Sequence, residues 1–131
     1  AAWVGEVEQL AQSMPWPTKV MIGVRNMAQL MADTDLAIGA AGATSWELCC
    51  LGVPSLLICT AANQRTVIAA LASVSAVVEL DRAALSQSGG TSFSAQYSEL
   101  INNLEDYTAA AARISDGAGA SRVCEQLVSL I

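Results

Sequence analysis

Hydrophobic positions along this chain change period repeatedly, from spacings of three and four residues to short unbroken apolar runs. Trp3, Val7, Leu10, Ala11 and Met14 form one helical face, which Pro15-Trp16-Pro17 ends. KVMIGV, Lys19 to Val24, then predicts a strand, and NMAQLMADT, Asn26 to Thr34, a helix with Asn26 as its N-cap. The alternation continues through strand DLAIGA, helix ATSWELCCL stopped by Gly52, strand VPSLLICT, helix NQRTVIAALASV capped by Asn63, and strand SAVVEL, Ser75 to Leu80. Beyond it SQSGGTS, Ser86 to Ser92, predicts a flexible connection. Two helices follow, one carrying Tyr97, Leu100, Ile101, Leu104 and Tyr107, the other Val123, Leu127, Leu130 and Ile131, separated by a break at DGAGAS. Both are expected to pack on the sheet.

Short apolar strands alternating with helices of about ten residues predict an α/β fold whose parallel sheet is covered on both faces. With 131 residues, 53 % of them hydrophobic, and no internal repeat, the chain is expected to be one domain, residues 1–131.

The stretch LAIGAAGATSWELCCLG, Leu36 to Gly52, raises the chemical question. Between its strand and its helix stand seven residues that are all Gly, Ala, Thr or Ser. Such a loop leaves the carboxyl end of a parallel strand, where open α/β sheets bind ligands, and enters a helix N-terminus with unpaired N–H groups. Gly39 and Gly42 carry no side chain where a ligand and the backbone would approach closely. A phosphate is the natural occupant. The alternative is a capping box, Thr44 to Glu47, with the Thr44 hydroxyl on the Glu47 N–H and the Glu47 carboxylate returning to the Thr44 N–H. The loop is neither GxxxxGK[ST] nor GxGxxG. On the next strand's exit, Asn63 and Gln64 read either as a cap and a solvated amide or as a pair that hydrogen-bonds sugar hydroxyls.

Charge and composition narrow the choice. A net charge of −6 with six scattered Lys and Arg residues offers no footprint for nucleic acid or anionic lipid. Mean hydropathy is positive at +0.45, yet no apolar run reaches the roughly 18 residues of a spanning helix, so no membrane insertion is expected. The N-terminus carries Glu6 and Glu8 and does not read as a signal peptide. Four cysteines and no histidine fit no zinc spacing, so Cys49, Cys50, Cys59 and Cys124 read as small buried hydrophobes of a soluble, cytoplasmic protein. No metal and no cofactor is expected.

NMAQLMADTDLAIGAAGATSWELCCLGVPSLLICTAANQ, with DGAGASRV from Asp116 to Val123, resembles the C-terminal half of the UDP-sugar hydrolases of pseudaminic acid biosynthesis, also described as spore-coat polysaccharide proteins. More distantly it is similar to the UDP-N-acetylglucosamine transferase that makes lipid II. The resemblance implies the second of the two Rossmann-like domains of a GT-B fold. It further implies that the N–H groups of Gly42, Ala43, Thr44 and Ser45, with the Thr44 and Ser45 hydroxyls, receive the diphosphate. Glu47 would accept from the ribose hydroxyls, Asn63 and Gln64 would reach the sugar, and the backbone at Val24 and Arg25 would recognise uracil.

In that family a histidine of the N-terminal domain activates the attacking water. This chain has no histidine, so no catalytic residue is assigned to it and it is expected to bind a UDP-sugar without turning it over. Its N-terminal domain is then an expected partner. Related domains begin with two further strands, whereas this chain opens in the helix before KVMIGV; in the order 3-2-1-4-5-6 those two are central. Either the remaining strands re-pair or a partner supplies them. Two alternatives stay open beside the hydrolase: the donor-binding domain of a GT-B glycosyltransferase, and a non-catalytic scaffold domain.

Overall fold

A computed structural model describes residues 3–83 and 91–130. Its elements, in chain order, are α1 (Val4–Ser13), α2 (Met27–Ala32), β1 (Ala37–Ala40), α3 (Ala43–Cys50), β2 (Ser55–Ile58), a 3-10 turn (Ala62–Gln64), α4 (Arg65–Ser73), β3 (Val78–Leu80), α5 (Thr91–Asn102), α6 (Leu104–Ala112) and α7 (Gly119–Ser129). The three strands form a parallel sheet in the order β1-β2-β3, with Ala37 opposite Ser55 and Leu56 opposite Val78. Parallel neighbours need crossovers, and α3 and α4 supply them. The expected α/β class and Rossmann-like layering are what the chain adopts.

Successive residues of β2 serve opposite faces. Leu57 packs with Cys49, Ile68, Leu71 and Val77, and Leu56 packs with Val78, Leu100 and Tyr107. Helix ends are closed by backbone geometry. After α3, the Gly52 N–H donates to the Cys49 carbonyl and the Val53 N–H to the Leu48 carbonyl, with Gly52 at φ +66°, a Schellman motif. Ser75, at φ +55°, closes α4 in the same way through bonds from Ser75 to Ala72 and from Ala76 to Leu71.

Four expectations need correction. Lys19 to Val24 is not a strand: among the described residues it joins no ladder, and Gly23 at φ +64° breaks its extended run. A strand needs a neighbour to complete its ladder, and the described strands pair only with one another, in chain order. Ala37 and Ala41 turn their N–H groups to Pro54 and Ile58 of the β2 side, at 3.0 and 2.9 Å. The alternating groups of Ile38 and Ala40 therefore point to an edge of β1 that no described strand covers.

Second, the helix expected around Tyr97 to Tyr107 is two helices, α5 and α6, broken at Asn103. Third, α5 lies on β2 and β3 and α6 packs against α3 and α5, while α7 has no buried residue and exposes Val123, Leu127 and Leu130. Helical spacing reveals an apolar stripe and says nothing of what meets it. Fourth, the Ser86 to Ser92 connection overlaps α5, which begins at Thr91; residues 86–90 lie outside the described residues.

The Tyr107 hydroxyl donates to Glu99 Oε1 at 2.8 Å, and burial together with that carboxylate pushes the phenol from 10.0 up to about 12. The folded state therefore holds this proton more tightly than the unfolded chain, so the stabilisation is complete below pH 10 and is lost as pH rises through about 12. Tyr107→Phe should cost about 1 kcal/mol at neutral pH and flatten that alkaline decline. Urea unfolding at pH 8 and pH 11 measures it; an unchanged pH slope in the variant would exclude Tyr107 as its source.

Candidate functional site

β1 runs through Ala40, so only Ala41 and Gly42 connect it to α3. Ala41 is buried and hydrogen-bonded to β2, which leaves Gly42 as N-cap in extended backbone at φ −173°. The Ser45 N–H donates to the Gly42 carbonyl at 3.0 Å and the Gly42 N–H donates to the Ser45 hydroxyl at 3.1 Å. The expected Thr44 to Glu47 capping box therefore does not form. The helix starts earlier than that box requires, placing Thr44 and Glu47 at its second and fifth positions, and the third position belongs to Ser45.

This register sorts the small residues of the loop by role. Ser45 is fully buried and holds the turn. Gly42, Ala43 and Thr44 are exposed, and the first N–H groups of the helix have no partner within it. A Cβ built on Gly39 or Gly42 would meet nothing within 4 Å, and neither has a left-handed φ. The fold itself does not demand glycine at either place. Their missing side chains leave open space at the carboxyl end of β1.

Three concavities surround α3. Gly42 and Ala43 line one of about 210 Å³ together with Trp46, Asn63, Gln64 and Val67. Glu47 lines a second, of about 370 Å³, with Trp46, Met27, Cys50 and, from the loop before α7, Ser115 and Gly117. Thr44 lines a third, of about 460 Å³, with α2 and the open edge of β1. Trp46 is shared by the first and second, and Met27 by the second and third. Val24 and Arg25 line none of the three; Val24 is half-buried and Arg25 exposed, just before the α2 cap Asn26, whose side chain accepts from the Gln29 N–H.

The turn after β2 also differs from expectation. Ala61 is the N-cap of the 3-10 turn and α4 starts at Arg65, so Asn63 caps nothing and its side-chain amide has no partner among the described residues. Gln64 does the capping instead: its Oε1 accepts from the Thr60 N–H, the Thr60 hydroxyl and the Ala61 N–H at 2.9, 3.0 and 3.2 Å. Only its NH₂ is left to face the 210 Å³ cavity.

The DGAGASRV stretch is brought against α3. Gly117, at φ +72°, has the left-handed backbone that favours glycine, and an added Cβ would stand 2.9 Å from Cys50 Sγ and have to displace that thiol. Asp116 accepts from the Ala118 N–H and from Arg122, and the Arg122 guanidinium holds its carboxyl below the usual carboxylate range. Of the cysteines only Cys49 is buried, and burial pushes its thiol up; Cys50 and Cys59 are half-buried and Cys124 is exposed, so the expectation of four buried thiols holds for one. No group of three His, Cys, Asp or Glu among the described residues could hold a metal ion.

Sequence reasoning missed Trp46, Met27 and Val67. Trp46, 45 % exposed at the fourth position of a helix bounded by a glycine loop, carried the only readable signal, a large aromatic that the core does not take up.

A parallel sheet, a minimal turn from strand to helix and a cavity at that turn fit the Rossmann-like half of a GT-B, glycosyltransferase-like fold, and the family match supports it. The chain belongs to the glycosyltransferase family 28 C-terminal domain family, whose sequence model matches residues 6–127. No curated protein and no solved structure matches it. No helix among the described residues is long and apolar enough to cross a membrane.

Proposed function

We propose that this domain binds the UDP moiety and the sugar of a UDP-sugar across the first two turns of α3. The observation that carries the reading is that the α3 N-terminus and the Asn63-Gln64 turn, which come from two different strand exits, line one cavity with Trp46. The free N–H groups of Ala43 and Thr44, with the Thr44 hydroxyl, receive the diphosphate, aided by the positive end of the helix dipole. Gly42 and Ser45 hold the turn beneath them through their mutual bonds. Glu47 accepts from the ribose hydroxyls, Asn63 and the Gln64 NH₂ meet the sugar, and the backbone of Val24 and Arg25 reads the uracil edge.

The IGAAGATSWELCCLG and DGAGASRV motifs favour a nucleotide-sugar hydrolase of pseudaminic acid or surface polysaccharide biosynthesis. The family match favours a second reading, the donor-binding half of a glycosyltransferase. In either case the catalytic base comes from a partner N-terminal domain, and the uncovered edge of β1 is suited to further strands of the same protein.

Titration of the chain with UDP, followed by backbone amide shifts, tests the site. A dissociation constant of roughly 10 μM to 1 mM is expected, since only half of a two-domain cleft contributes. Ala43 and Thr44 should move most, with CMP as the weaker control. Unmoved amides at millimolar UDP would overturn the assignment.

A further inference from the structure

Two parts of the chain each lack what the other holds. From Lys19 to Arg25 no backbone group makes a hydrogen bond among the described residues, and Met21 and Ile22 are 47 % and 66 % exposed. At the open edge of β1 the N–H and C=O groups of Ile38 and Ala40 are equally without partners, and Ile38 is 51 % exposed. Beside that edge lies the apolar groove of about 460 Å³ between α2 and α3, with Met31, Leu48 and Leu57 along it. No charged residue, proline or bulge interrupts the sequence from Leu36 to Trp46, so the edge carries none of the devices that keep another strand away. The connection from Arg25 to Leu36 is no longer than the shortest parallel crossovers, and the segment does not close onto its own edge.

We propose that Lys19 to Val24 of a second copy of this chain pairs in parallel with β1, reciprocally, so that two copies close a swapped dimer about a two-fold axis. The register follows from side-chain alternation. With Met21 of the partner copy opposite Ile38 and its Gly23 opposite Ala40, the backbone groups of its Val20, Ile22 and Val24 turn to the edge and complete four hydrogen bonds. The same alternation puts those three β-branched side chains on the face that Gly39 shares with Leu57, toward the groove. Ile22 then lies opposite Gly39, where an added Cβ meets nothing within 4 Å, so the absent side chain leaves it room. On the other face Met21 and Ile38 cover each other. Gly23, whose φ of +64° breaks the extended run, can extend without steric cost. Charge agrees with this direction: Lys19 comes to the end of β1 preceded by Asp33 and Asp35, and none of the three has an ion pair among the described residues. The pairing does not rest on the nucleotide reading.

Sedimentation equilibrium of the whole chain tests the association. A species of twice 13.5 kDa is expected at about 100 μM, dissociating on dilution. In a sample mixing isotope-labelled and unlabelled copies, contacts between Met21 and Ile38 should be seen across copies. The amides of Ile22, Val24, Ile38 and Ala40 should exchange about tenfold more slowly in the dimer than in the dilute chain. Ile22→Lys, which puts a charge into the groove, and Ile38→Lys, which puts one on the edge, should each weaken association about tenfold or more. Both should keep the wild-type melting point at a dilution where the wild type is monomeric, since both side chains are exposed there. Leu127→Lys on α7 should leave association intact. Four results would each overturn the proposal: a chain still monomeric at about 1 mM, contacts between Met21 and Ile38 confined to one copy, a dimer that both lysine variants leave intact, or a dimer that only Leu127→Lys breaks.

Discussion

Replacing Leu56 by alanine is expected to lower the stability of the domain by about 2–5 kcal/mol, the range for a buried leucine whose cavity the surroundings only partly refill. Leu56 is fully buried in the central strand, held between Val78, Leu100 and Tyr107, so neighbours on β3, α5 and α6 would all lose contacts at once. For a chain of this length the loss corresponds to a fall in melting temperature on the order of 10 °C or more. Leu56 faces away from the cavities around α3, whereas Leu57 lines one of them, so UDP affinity below the transition should not change. The matched control is Val123→Ala on α7, where 59 % exposure predicts a change within about 0.5 kcal/mol. Thermal or urea unfolding of both variants decides the matter. Equal effects at the two positions would mean that the described sheet is not the stabilising core.

Glu47→Gln is expected to weaken UDP binding by about 1–3 kcal/mol, roughly five- to 150-fold, with stability within about 0.5 kcal/mol of wild type. The two halves of this expectation have different sources. The Glu47 side chain is exposed at the fifth position of α3 and makes no hydrogen bond among the described residues, because the capping interactions belong to Ser45 and Gly42. Nothing in the fold needs its charge. A carboxylate can accept from two neighbouring ribose hydroxyls through two charged oxygens, and an amide can accept through one neutral oxygen. Calorimetry with UDP and a melting curve on the same variant separate the roles. Unchanged affinity would remove Glu47 from the site; a large loss of stability would restore a structural role that the observed register denies it.

The contrast between Thr44 and Ser45 shows where sequence reading reached its limit. Both are small hydroxyl residues at the start of a helix, and the spacing from Thr44 to Glu47 fits a capping box well. Which residue caps depends on where β1 ends, and that is set by the ladder between Ala37–Ala40 and Ser55–Ile58. The ladder carries the strand through Ala40, leaves two residues for the turn, and so gives the third helical position to Ser45. Asn63 and Gln64 exchanged roles for a similar reason. A one-turn 3-10 segment before α4 moved the cap to Ala61 and put the Gln64 oxygen within reach of Thr60 and Ala61.

The sequence by itself determined the α/β class, the α3 helix with its glycine stop at Gly52, the Asn26 cap, and the order of strand and helix from Asp35 to Leu80. Each of these is encoded locally, in hydrophobic period, capping chemistry or backbone freedom, and needs no distant partner to be read. Only the tertiary structure decided the rest. Lys19 to Val24 has strand-like residues, but a strand exists only where a neighbour completes its ladder, and none among the described residues stands beside it. The Ser115 to Gly117 loop lies some seventy residues after Glu47 and meets it only because α6 packs against α3. The unpaired oxygen of Gln96 became visible once α5 had been laid beside Glu79 of β3. Contacts between residues far apart in the chain depend on how whole elements stack, and no local periodicity records that stacking.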